Sequence, residues 1–92
     1  MKTLYFSTAY KRDVKRLLRA DKTLKEQLDA IIERLRSGAS LDAKWGDHSL
    51  GRGWIDHRDL HVKPDLLLIY TRPCPNSVKL VRIGNHANIG FC

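Results

Sequence analysis

The sequence predicts a small α+β domain, an N-terminal strand and a two-helix hairpin packed on a mostly antiparallel sheet. Three observations carry this. Two consecutive stretches repeat apolar residues at the helical period, and three later stretches have strand length and strand character between turn signals. No repeat, low-complexity tract or linker divides the 92 residues, so residues 1–92 form a single domain with enough length for one core.

Thr3 to Phe6 reads as a short strand. Ser7 or Thr8 then offers a hydroxyl to cap a helix beginning near Ala9, in which Tyr10, Val14, Leu17 and Leu18 make one apolar stripe. Lys11, Arg12, Lys15, Arg16 and Arg19 fill the remaining positions with a single acid, Asp13, among them, which predicts a cationic outer face. Thr23 followed by Glu26 fits a capping box. It opens a second helix with Leu24, Leu28, Ile31, Ile32 and Leu35 as its stripe and Gly38 as its stop.

From Ala39 the composition is that of a loop, through Asp47 and His48 to the turn at Gly51 and Gly53. Trp54 to Val62 alternates, with Trp54, Asp56, Arg58, Leu60 and Val62 on one face and Ile55, His57, Asp59 and His61 on the other. After the turn at Lys63, Pro64 and Asp65, the run Leu66 to Thr71 suits a central strand covered on both sides. Pro73 to Ser77 turns the chain again, because proline cannot continue a ladder, and Val78 to Ile83 is the last strand before Gly84 and a tail. With the helices on one face of the sheet, the other face is expected to be partly open and to display the polar residues of the meander.

Seventeen Lys and Arg against ten Asp and Glu give a formal charge of +7, a field that favours a polyanion or an acidic partner protein over a neutral one. The longest strongly apolar run, Leu66 to Tyr70, is far below the roughly 20 residues of a membrane span. The opening apolar run is too short for a secretion signal. A cytoplasmic protein without membrane association is expected, with Cys74 and Cys92 as free thiols.

Four histidines raise the question of a metal. His57 and His61 would share a helix face, but in a strand four residues span roughly 13 Å, too far for one ion. No metal or other cofactor is expected, and His57 reads as an ordinary core or surface histidine. Nucleotide-phosphate loops and acyl-transfer motifs are missing from the sequence.

What remains is His48 in a loop, His61 in a strand, Asp65 in a turn, Arg82 in the last strand and His86 in the tail. Those parts suit metal-free cleavage of RNA. One group removes the proton of a 2′-hydroxyl, another protonates the leaving 5′-oxygen, and imidazole does both near neutral pH. A guanidinium holds the phosphate and its growing negative charge. The sequence leaves open which histidine is acid and which is base.

The ordered set Asp47-His48-Ser49-Leu50, Gly53-Trp54, Arg58-Asp59-Leu60-His61-Val62-Lys63-Pro64-Asp65, Leu68-Ile69-Tyr70 and Arg82-Ile83-Gly84-Asn85-His86-Ala87 resembles the YafQ branch of the RelE/ParE toxin superfamily. These matches cover about half the chain. The resemblance implies a RelE-like, microbial-ribonuclease-like α+β fold and a ribosome-dependent endoribonuclease that cuts mRNA codons in the A site. It implies a type II toxin neutralised by an acidic, DinJ-like antitoxin with a ribbon-helix-helix end, contacting operator DNA only through their complex. The family's functional positions fall on His48, His61, Asp65, Arg82 and His86, and Lys11, Arg12, Lys15, Arg16 and Arg19 are expected to contact RNA. The chain departs from the pattern in two places. Leu66 stands where the family often has tryptophan, and Gly90 stands four residues after His86, with the aromatic Phe91 one later and expected to contact RNA. A non-cleaving relative, either a gyrase-directed ParE-like toxin or a nucleic-acid-binding module, is the alternative.

Overall fold

A computed structural model describes residues 2–38, 41, 45–49 and 57–84, with the backbone alone for His48 and Ser49. Strand β1 (Thr3–Phe6) leads into helices α1 (Thr8–Ala20) and α2 (Leu24–Ser37). The strands β2 (His48–Ser49), β3 (His57–Lys63), β4 (Leu66–Thr71) and β5 (Ser77–Gly84) follow. The five strands form one sheet in the order β1-β5-β4-β3-β2. Its pairs are antiparallel except for the parallel pair of β1 with β5. Parallel neighbours need a crossover, and the two helices lie between β1 and the meander in the chain.

Each boundary has a local cause. Ser7 caps α1, its Oγ accepting from the Tyr10 N–H at 2.9 Å. The capping box expected at Thr23 does not form. Thr23 is helical (φ −72°, ψ −17°) and its side chain makes no cap bond. Its N–H and hydroxyl both donate to Asp21 Oδ1, at 3.0 and 2.6 Å, so the aspartate organises the turn between the helices. Lys63 also donates to Asp21, and that bond, with the two from Thr23, lowers the carboxyl's pKa to about 2. Gly38 closes α2 in the left-handed region at φ 77°, as expected of a C-cap glycine.

The core lies between the helices and one face of the sheet. Tyr10, Leu24, Leu28, Ile31 and Leu35 from the helices meet Leu60, Val62, Leu66, Leu68, Tyr70, Val78, Leu80 and Ile83. Both predicted stripes point inward, and β4, the middle strand, is buried from Leu66 to Tyr70 as its unbroken apolar run implies.

Two features differ from the sequence expectations. The pair His48–Ser49 joins the sheet instead of remaining loop, because its backbone ladders onto Asp59 and Arg58. Strand β3 begins at His57, and residues 54–56 of the expected strand lie outside the described residues. The face away from the helices is closed at its centre, since Leu67 and Ile69 are fully buried and Asp59 is 3% exposed. A strand that is apolar at every position needs cover on both faces, and around this closed centre His57, His61 and Arg82 remain partly exposed, as expected of a partly open face.

Candidate active site

The strand register decides which of the predicted residues share a face. Arg82 on β5 pairs with Ile69 on β4, Ile69 with Asp59 on β3, and Asp59 with His48 on β2. These four positions form one row across the sheet, on the face away from the helices. In the adjacent row, Leu67 stands between Gly84 and His61. Arg82, His61 and the backbone position of His48 thus border the closed patch of Leu67, Ile69 and Asp59. Three strand spacings put the α-carbons of His48 and Arg82 about 14 Å apart.

Arg82 reaches that face because of an irregularity. Between the pairs Tyr70↔Leu80 and Ile69↔Arg82 the register shifts, leaving Val81 as an extra residue on β5. Without it, the alternation of Val78 and Leu80 into the core would send Arg82 there as well. The bulge returns Ile83 to the core and turns Arg82 away from it. The bulge is pinned by the start of α1, where Ser7 donates from its N–H to the Leu80 carbonyl (3.0 Å) and from its hydroxyl to the Val81 carbonyl (2.5 Å).

Beyond the bulge, Asp13 of α1 meets β5. Its carboxylate accepts from Arg82 Nε (2.7 Å), Arg82 Nη2 (3.2 Å) and the Ile83 N–H (3.2 Å). The Asp13 side chain is 4% exposed and that of Arg82 30% exposed. These bonds, foremost among the causes, raise the pKa of Arg82 above its ordinary value, so it stays cationic.

His61 is half-buried on β3. Gly46, at φ 59°, lies so close that a Cβ there would stand 3.4 Å from His61 Nδ1. The next residue, Asp47, faces the other way. It accepts from Arg58 Nε (3.2 Å to each carboxylate oxygen), from Arg58 Nη2 (3.0 Å) and from the Tyr70 hydroxyl. Burial pushes the Asp47 carboxyl up, but the bonds from Arg58 and Tyr70 and the charges of Arg58 and Arg72 outweigh it and hold the group below the ordinary carboxylate range. Burial, then the Asp47 bond, pushes Tyr70 up to about 12. The Arg72 guanidinium lies 5.2 Å from the Tyr70 ring centroid. This cluster clamps the chain immediately before His48.

Asp65 is exposed in the turn between β3 and β4 and lines a cleft of about 200 Å³ with Leu17, Asp21, Leu24 and Lys63, toward the junction of the helices. His86 and Phe91 lie outside the described residues. Lys11, Arg12, Lys15, Arg16 and Arg19 are all exposed on α1, as expected of a cationic face. Cys74 is an exposed free thiol. Among the described residues no three His, Cys, Asp or Glu side chains gather as metal ligands, and no helix is long and apolar enough to cross a membrane.

Sequence reasoning missed Asp13, which it placed on the outer face of α1. Its position three residues after Tyr10 and four before Leu17 lies on the apolar stripe, and an acid there needs a buried partner.

Residues 2–90 match the family model described as the bacterial toxin of type II toxin-antitoxin systems, YafQ. The mRNA interferase toxin YafQ of Escherichia coli (strain K12) is 30% identical over 82 residues, which is 89% of this chain and 88% of that protein. The E. coli DinJ–YafQ complex contains a chain that superposes with a TM-score of 0.86 at 28% identity, covering 98% of this chain and 99% of that one. A metal-bound toxin from Helicobacter pylori superposes with a TM-score of 0.87 at 36% identity, covering 97% and 99%. With the fold shared end to end and the family model spanning nearly all of its residues, the chain belongs to the YafQ family of bacterial type II toxin-antitoxin toxins.

Proposed function

We propose that the chain is an mRNA endoribonuclease that acts on the ribosome in the cytoplasm, cutting codons in the A site by 2′-hydroxyl attack. The observation that carries this reading is the row of the sheet in which a bulge turns Arg82 out of the core and onto the face of His61 and the His48 position. The name of the curated relatives, mRNA interferase, favours it over the gyrase-directed and merely RNA-binding alternatives.

In the proposed reaction a base takes the 2′-hydroxyl proton and the 2′-oxygen bonds to phosphorus. The bond to the 5′-oxygen then breaks as an acid protonates it, leaving a 2′,3′-cyclic phosphate and a 5′-hydroxyl. His61 and His86 are the candidates for proton transfer, with His48 and Asp65 orienting them or sharing that role. Arg82 holds the scissile phosphate, whose added charge a guanidinium stabilises. The exposed cations of α1 contact ribosomal RNA, and Phe91 contacts the message. A cognate antitoxin, acidic and DinJ-like with a ribbon-helix-helix end, neutralises the toxin, and only their complex meets operator DNA.

The side chains alone supply these steps, so purified protein on programmed ribosomes should cut the A-site codon in the presence of EDTA. Loss of the cut under chelation would overturn the metal-free chemistry. His86→Ala should slow cleavage by about 10²- to 10⁴-fold, the usual contribution of a general acid or base, while still binding the antitoxin. Cleavage at the wild-type rate would remove His86 from the site.

A further inference from the structure

We infer that Asp13 is a positioning residue for RNA cleavage, acting through Arg82 and fixing the guanidinium in the direction in which it receives the scissile phosphate. The inference rests on the proposed role of Arg82 and adds to it a residue on a different element.

A free arginine side chain samples many rotamers, and a phosphate clamp is effective only when its donors are already aimed. Asp13 supplies that aim. Its carboxylate engages Nε and Nη2, one edge of the planar guanidinium, which leaves Nη1 on the far side for a substrate oxygen. The same carboxylate takes the Ile83 N–H, so side chain and strand are held by one group. The group is itself fixed, being buried on a helix whose first turn is bonded through Ser7 to the bulge that redirects Arg82. Beneath a helix face of exposed Lys and Arg, a nearly buried carboxylate lowers the local attraction for RNA.

That opposition gives a signature that a purely structural role would not produce. Asp13→Asn keeps an acceptor for the Ile83 N–H but removes the charge-assisted fork. It should lower kcat on programmed ribosomes by about 10- to 100-fold, the scale of a misplaced catalytic group. KM should stay the same or fall, because a negative charge has gone. In an Arg82→Ala background the same substitution should lower kcat no further.

Full cleavage by Arg82→Ala would sink the phosphate role itself. If Arg82→Ala is impaired but Asp13→Asn keeps the wild-type kcat, or gains on it, the positioning role fails while the phosphate role stands. A further loss in the double variant would also overturn it, since Asp13 would then act independently of Arg82. Should Asp13→Asn not fold, the wild-type protein still decides. An arginine Nε–H resonance protected from solvent exchange, absent from Arg82→Lys, is expected by NMR, and its exchange at the rate of a solvated arginine would contradict the inference.

Discussion

Gly46 is where a single residue constrains the site most visibly. Its φ of 59° suits glycine, and a Cβ added there would stand 3.4 Å from Nδ1 of His61. Gly46→Ala should cost about 1–2 kcal/mol of stability from the left-handed backbone alone, read from the denaturant midpoint. At 3.4 Å from Nδ1 the new methyl makes an ordinary contact with the ring, so cleavage should fall no further than the lost folded fraction. An unchanged midpoint would show that the backbone relaxes freely there. At this scale the sequence was readable for residue types and poorly readable for partners. Arg82 and His61 stood out by their chemistry, whereas Asp13 was hidden among five cations until β5 was seen against α1. Nothing local in a sequence says which strand a helix will meet.

Elements decide where those residues point. The strand containing Arg82 was evident from Val78 to Ile83, yet its bulge was not, although the buried positions 78, 80 and 83 break a strict alternation by one residue. Two residues of pairing at His48 and Ser49 are too few to leave any periodic signal. What secures that short strand is the cluster before it, Asp47 with Arg58 and Tyr70. The Asp47 carboxyl has a lowered pKa in the folded chain, so its contribution is complete above the ordinary carboxylate value and is lost as pH falls through the folded one. Asp47→Asn should therefore cost about 1 kcal/mol, or about 4–8 °C in melting temperature, at neutral pH. The gap to wild type should close below about pH 4. A gap of equal size at pH 3 and pH 7 would show that the charge of Asp47 is not what holds the cluster.

Across the whole molecule, one sheet lies between the helical core and the face to which the proposed chemistry is assigned. The helices cover one face and make the core, while the other carries Arg82, His61 and the His48 position around a closed centre. The α+β class, the two helical stripes and the buried middle strand were legible because each is a periodic pattern. The parallel pairing of β1 with β5 was not, since it depends on contacts between segments far apart in the chain. In the proposed reaction the groups on this face activate the RNA's own 2′-hydroxyl. The most direct test is to programme ribosomes with a message carrying a single 2′-deoxy nucleotide at the cleaved position of the A-site codon and to identify the ends of the products. The deoxy message should stay whole while the all-ribose message yields a 2′,3′-cyclic phosphate and a 5′-hydroxyl. Cleavage of the deoxy message, or a 3′-hydroxyl paired with a 5′-phosphate, would contradict the proposed reaction.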